Sequence, residues 1–111
     1  MYRGRYINSM PSGEGTYYWA DGSYFRGIFL NGMREGKGIW KKGAGDCDKY
    51  EGLYKNDKKW GYGEFTWKSG NTYKGNYEGD VRSGYGEMFW TNGTVYRGQW
   101  VNGVQHGEGI L

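Results

Sequence analysis

Large rings and glycines alternate along this chain with the period of a β-strand. Tyr2, Gly4 and Tyr6 stand two residues apart, and the same order returns as Phe25-Gly27-Phe29, Tyr50-Gly52-Tyr54, Tyr73-Gly75-Tyr77 and Tyr96-Gly98-Trp100. Residues two apart share one face of a strand, whereas a helix would require spacings of three and four. Eleven residues after each start comes Gly-x-Gly, at Gly13/Gly15, Gly36/Gly38, Gly61/Gly63, Gly84/Gly86 and Gly107/Gly109. Both signatures advance by 23, 25, 23 and 23 residues, so they hold one phase across five units starting at 2, 25, 50, 73 and 96.

Turn residues separate the periodic stretches. Asn31-Gly32, Asn56-Asp57, Gly79-Asp80 and Asn102-Gly103 fall between the two signatures of a unit, and Asp21-Gly22, Ser69-Gly70 and Asn92-Gly93 join one unit to the next. These residue types tolerate the positive φ of tight hairpin turns. The spacing therefore predicts an all-β fold without helix: an elongated, single-layer antiparallel meander in which each unit is one β-hairpin. Five hairpins give about ten strands, and at roughly 4.8 Å per strand the sheet should run about 45 to 50 Å. A glycine between rings leaves bare backbone on which a ring from the neighbouring strand or unit can lie flat, so rings over gaps replace a second layer. The second unit, "WKKGAGDCDKY", is two residues longer than the others, which predicts a surface loop or bulge carrying Cys47.

Composition narrows the class further. Glycine supplies 23 of 111 residues and aromatics 20%; such ring content excludes a disordered chain. Collagen is excluded because the glycines do not fall every third residue. The net charge of +3 is too mild to indicate nucleic acid, and a single cysteine excludes an internal disulfide framework. "MYRGRYINSM" carries no apolar signal segment and no stretch is long enough to span a bilayer as a helix, which points to a cytoplasmic chain. The sequence starts almost on the first residue of a unit and stops inside the second strand of the fifth. That predicts one array over 1–111, its last unit incomplete, belonging to a longer protein or capped as a homodimer.

The pattern Y-x-G-x-[YFW]-x-x-G-x-x-x-G-x-G at a 23-residue period resembles the MORN repeat (membrane occupation and recognition nexus), most fully in "YRGQWVNGVQHGEG" from Tyr96 to Gly109 and in "TYYWADGSY". The chain departs from that pattern at Ser9, Asp57 and Asp80, which replace a glycine. It departs again at Ser12, Glu35, Trp60 and Ser83, where only the fifth unit keeps the histidine, His106. The resemblance implies a twisted single-layer sheet with an aromatic groove and a scaffold at cytoskeletal, ciliary or membrane-associated structures, with a lean to ciliary and sperm members. It also implies an alternative, a phosphoinositide-binding module regulating an attached enzyme such as a lipid kinase.

Catalytic chemistry finds no footing in the residues. Gly-x-Gly lies inside strands, not before a helix N-terminus as a phosphate loop needs. His106 and Cys47 are too few for a metal site and lack the third group and oxyanion donors of nucleophilic catalysis. Glu64 and Glu87, one repeat apart, are expected to stack as neighbours along the sheet, not to face each other across a cleft. No enzyme activity, cofactor, metal or nucleic-acid partner is expected. A protein partner is: the candidate groove comprises Tyr6, Phe29, Tyr54, Tyr77 and Trp100 from first strands and Tyr17, Trp40, Phe65 and Phe89 from second strands. Between Lys37 and Lys74, nine lysines stand against five acids. Lys41, Lys42, Lys58 and Lys59 are therefore the candidate contacts for anionic lipid, and also serve to keep an open sheet edge soluble.

Overall fold

A computed structural model describes residues 1–43 and 48–110, with backbone alone for 106–110. It contains ten strands: β1 (Tyr2–Ile7), β2 (Met10–Tyr18), β3 (Tyr24–Leu30), β4 (Met33–Lys41), β5 (Lys49–Lys55), β6 (Lys58–Thr66), β7 (Thr72–Glu78), β8 (Val81–Phe89), β9 (Val95–Val101) and β10 (Val104–Ile110). They pair in chain order in one open sheet, each antiparallel to the next. The molecule measures 48 × 28 × 16 Å, so its length matches the expected span and its thickness that of one layer with side chains. The surface loop expected at Cys47 lies outside the described residues.

Each unit turns through a two-residue loop with both residues at positive φ: Asn8-Ser9, Asn31-Gly32, Asn56-Asp57, Gly79-Asp80 and Asn102-Gly103. These are type I′ turns, whose twist matches that of the strands they join. The second turn residue also ties its hairpin to the preceding one: the N–H of Asp57 donates to the Arg34 carbonyl at 3.0 Å, and that of Asp80 to Lys59 at 3.1 Å. Between units, Trp19, Trp67 and Trp90 open turns that close on Gly22, Gly70 and Gly93, with φ of 92, 100 and 91°.

The two glycines of Gly-x-Gly do different jobs. The first is a bulge: Gly52 pairs with Gly63 but Tyr54 pairs with Lys59, so one residue of β5 faces three of β6, and the same shift recurs in units 1, 2 and 4. Gly13, Gly36, Gly61 and Gly84 sit at the middle of these bulges with φ of 81, 79, 75 and 79°, a conformation that costs a side-chain-bearing residue about 1 kcal/mol or more. The sequence points to a loop or bulge only at the long unit; the structure places a bulge in every hairpin from the first to the fourth.

The second glycine belongs to a row that crosses the whole sheet. Gly4, Gly15, Gly27, Gly38, Gly52, Gly63, Gly75, Gly86 and Gly98 pair one to the next from β1 to β9. The first ring of each unit folds along its own strand onto this row. A Cβ at Gly63 would collide with the hydroxyl and adjoining carbons of the Tyr50 ring, and one at Gly52 would meet Tyr50 Oη at 2.6 Å and Gly63 Cα at 2.5 Å. The covering ring thus comes from the same strand for Gly52 and from the paired strand for Gly63.

Above the row the rings meet edge to face in one chain. Tyr50 contacts Tyr54 at 5.3 Å and Tyr77 at 5.4 Å, each at 87°, and Phe25, Tyr73 and Tyr2 repeat this arrangement with their own partners. Edge-to-face pairs add about 0.5 to 1.5 kcal/mol beyond burial. The buried apolar residues are Phe25, Phe29, Tyr50, Tyr54, Tyr73, Tyr77, Met88, Tyr96 and Trp100. Among the described residues that set contains no Val, Leu or Ile and only Met88 besides rings, so aromatic packing builds the core.

Candidate functional site

The face that carries the ring chain is the candidate site, and the structure divides the nine predicted groove rings into three groups. Phe29, Tyr54, Tyr77 and Trp100 are buried within the chain, locked between first rings of adjacent units, while Tyr6 on β1 is 58% exposed. Tyr17, Trp40 and Phe65 flank the chain of rings on the same face, opposite Phe25, Tyr50 and Tyr73, and remain partly open. Phe89 is a correction. It pairs with Thr72 and Val95, under Lys74 and Arg97, and so lies on the opposite face. Side chains alternate from Gly86, so the groove-facing position is Met88, which is buried.

Sequence reasoning missed two sets of residues on this face. Trp19 and Trp67 extend the flanking rings, at 4.9 Å from Tyr17 and 4.7 Å from Phe65. A cation in each of the second, third and fourth units, Arg34, Lys59 and Arg82, reaches over the ring chain; the sequence singled out only Lys59 among them, and as a lipid contact. The Arg34 guanidinium lies 4.8 Å from the Tyr54 ring centre and that of Arg82 lies 4.6 Å from Trp100. Recurrence at the repeat spacing was the available signal. Each cation also bonds to the next hairpin. Arg34 Nε donates to Asp57 Oδ1 and Nη2 to the Asp57 carbonyl, both at 2.7 Å; Lys59 Nζ stands 3.9 Å from Asp80; Arg82 Nη2 donates to the Gly103 carbonyl at 2.8 Å.

Flanking rings and cations enclose two notches of the same construction. One, of about 170 Å³, is lined by Tyr17, Trp19, Phe29, Arg34 and Asp57; the other, of about 210 Å³, by Phe65, Trp67, Tyr77, Arg82 and Gly103. They are two units apart, or about 19 Å at the usual strand spacing. A wider depression of about 600 Å³ lies on the opposite face, where Arg26 and Lys37 oppose Glu51 and Glu64 around Ile39 and Leu53.

The four candidate lipid-contacting lysines do not form one patch. Lys41 ends β4, with Lys42 beside it, at the edge of the connecting turns, whereas Lys58 and Lys59 begin β6 at the edge of the hairpin turns. Lys59 points into the rings, and burial lowers its pKa although Asp80 pulls the other way. Glu64 and Glu87 are not direct neighbours: Lys74 on β7 pairs with both, and Arg97 Nε donates to Glu87 at 2.7 Å.

Burial also perturbs the ring hydroxyls. It pushes the pKa of Tyr54 and of Tyr73 up to about 12, against Arg34 and Arg82 respectively, and raises Tyr50 and Tyr77 further. These phenols are easier to ionise in the unfolded chain, so their contribution to stability is complete below the ordinary value near 10 and is lost as pH rises toward the folded values. The sheet signal in circular dichroism should hold to about pH 10 and fall between about 10 and 12, together with a cooperative rise in phenolate absorbance. A gradual rise with unchanged dichroism would contradict burial of these rings.

Five MORN repeats match the chain, at residues 2–24, 25–47, 50–72, 73–95 and 96–111, in the phase of its hairpins. The chain belongs to the MORN repeat family. MORN repeats bind proteins and membranes and are generally non-catalytic. Among similar proteins, Alsin of Homo sapiens and of Mus musculus are each 35% identical over 72 residues, covering 62% of this chain and 4% of Alsin. MORN repeat-containing protein 3 of Xenopus laevis is 37% identical over 67 residues, covering 56% of this chain and 28% of that protein. The chain thus spans a small part of these relatives.

Proposed function

We propose that this MORN array is a non-catalytic scaffold that holds an extended or helical segment of another protein along its aromatic face, at a cytoskeletal or ciliary structure. The observation that carries this reading is the pair of equivalent notches on one face. Each offers half-open rings beside a cation, the composition of interface hot spots. A segment crossing about 19 Å needs roughly six residues as a strand or thirteen as a helix, so two apolar anchors at that separation would fill both notches. The division of the lysines between two edges favours a protein over a lipid surface.

Capture from a cell extract tests it. Tyr17→Ala with Trp67→Ala should lose the proteins that the wild-type chain retains, whereas Tyr62→Ser with Tyr85→Ser, on the opposite face, should keep them. Thermal melting first checks that both variants fold. Equal retention by all three chains, or loss only with the opposite-face pair, would overturn the proposal.

A further inference from the structure

The two notches differ in how their arginine is held, and the second also contains Lys59 and Asp80 where the first has Gly32. Arg34 is held twice by Asp57, through Nη2 to the backbone carbonyl and through Nε to the carboxylate. Arg82 keeps the first contact, to the Gly103 carbonyl. It lacks the second, because the residue that corresponds to Asp57 and Asp80 is Gly103. Among the described residues no carboxylate pairs with Arg82, and Asp80, which also lines the notch, is paired with Lys59. The place that the Asp57 carboxylate takes beside Arg34 is open beside Arg82: a Cβ at Gly103 would meet nothing within 4 Å. That place is accessible: the Asp57 side chain is 52% exposed in the equivalent position.

We propose that the Arg82 notch accepts the carboxylate of an acidic residue in the partner segment, with an adjacent apolar side chain lying against Phe65 and Trp67. This rests on the assignment of the aromatic face as the binding face. The acid would complete the ion pair that the second and third units make internally. A charge-assisted N–H···O bond to a guanidinium already fixed by a backbone carbonyl and by Trp100 needs little ordering of the arginine. The Arg34 notch, whose acid is built in, selects only the apolar anchor. The array thus reads a direction along the segment, with the acid at the β8 end.

The test uses the full chain labelled with ¹⁵N, titrated with 3-phenylpropionate and with its neutral amide, 3-phenylpropanamide. The carboxylate should shift the Nε–H signal of Arg82 and the indole N–H of Trp67 saturably, and bind about tenfold tighter than the amide. Gly103→Asp supplies the acid internally and should cut affinity for the carboxylate about tenfold while sparing the amide. The variant should fold, since Asp57 and Asp80 hold the same turn position at φ of 69 and 73°, against 81° for Gly103. Equal binding of acid and amide, wild-type affinity in Gly103→Asp, or equal shifts at Arg34 and Arg82 would overturn the proposal. In the capture assay, loss of partner with the ring variants but not with Gly103→Asp leaves the aromatic face standing and removes the acid. Retention by the ring variants removes both.

Discussion

Gly63→Ala should lower the stability of the array by about 3 kcal/mol or more, at the upper end for an overpacked site. The added methyl would collide with the hydroxyl and ring carbons of Tyr50, a residue with no solvent exposure. The ring cannot move aside easily, because Tyr54 and Tyr77 pack perpendicular to it on either side and its hydroxyl donates to the Leu53 carbonyl at 2.9 Å. Gly61→Ala is the useful contrast. It meets only Leu53, at 3.3 Å, and its cost is the positive φ of 75°, about 1 to 2 kcal/mol. Chemical denaturation of both variants should therefore rank Gly63 well above Gly61. A repeat array couples only through neighbours, so the Gly63 variant should also melt less cooperatively than the parent.

Tyr50→Ala should cost about 3 to 5 kcal/mol, the usual penalty for deleting a buried ring. Tyr50→Phe removes only one hydroxyl bond and should cost about 1 kcal/mol, and Phe25 already fills the corresponding place in the second unit with no hydroxyl. The informative variant is the double one. If the ring and the bare backbone occupy the same space, Tyr50→Ala removes the obstacle that makes Gly63→Ala harmful, and the two costs should fall well short of adding. Full additivity would mean that glycine is required there for another reason.

The fold was legible because every level of the sequence agreed. The ring and glycine phases, the turn dipeptides and the spacing between them all specify one hairpin per 23 residues. The site was legible only in part. Ring identity showed which face would be aromatic but not which rings the sheet would consume: Tyr54 and Tyr77 are enclosed by the rings of neighbouring units, a contact between strands that a period along one chain does not describe. Phe89 was misplaced because its aromatic character outweighed its phase, although counting two residues from Gly86 leads to Met88. Arg34 and Arg82 were hidden by their ordinary appearance as surface charges, and Lys59 was read as a lipid contact. Their role depends on the bulge at Gly36, Gly61 and Gly84, which sets each cation opposite a ring and could not be inferred from alternation alone.

The most direct test leaves the protein unmutated. In proton NMR spectra, the Hα that Gly38, Gly63 and Gly86 turn toward Phe25, Tyr50 and Tyr73 should be displaced far upfield by the ring lying over it, with cross-relaxation peaks to that ring's protons. Glycine Hα signals at ordinary positions, without such peaks, would show that the rings do not rest on the glycine row and that something else holds the hairpins together.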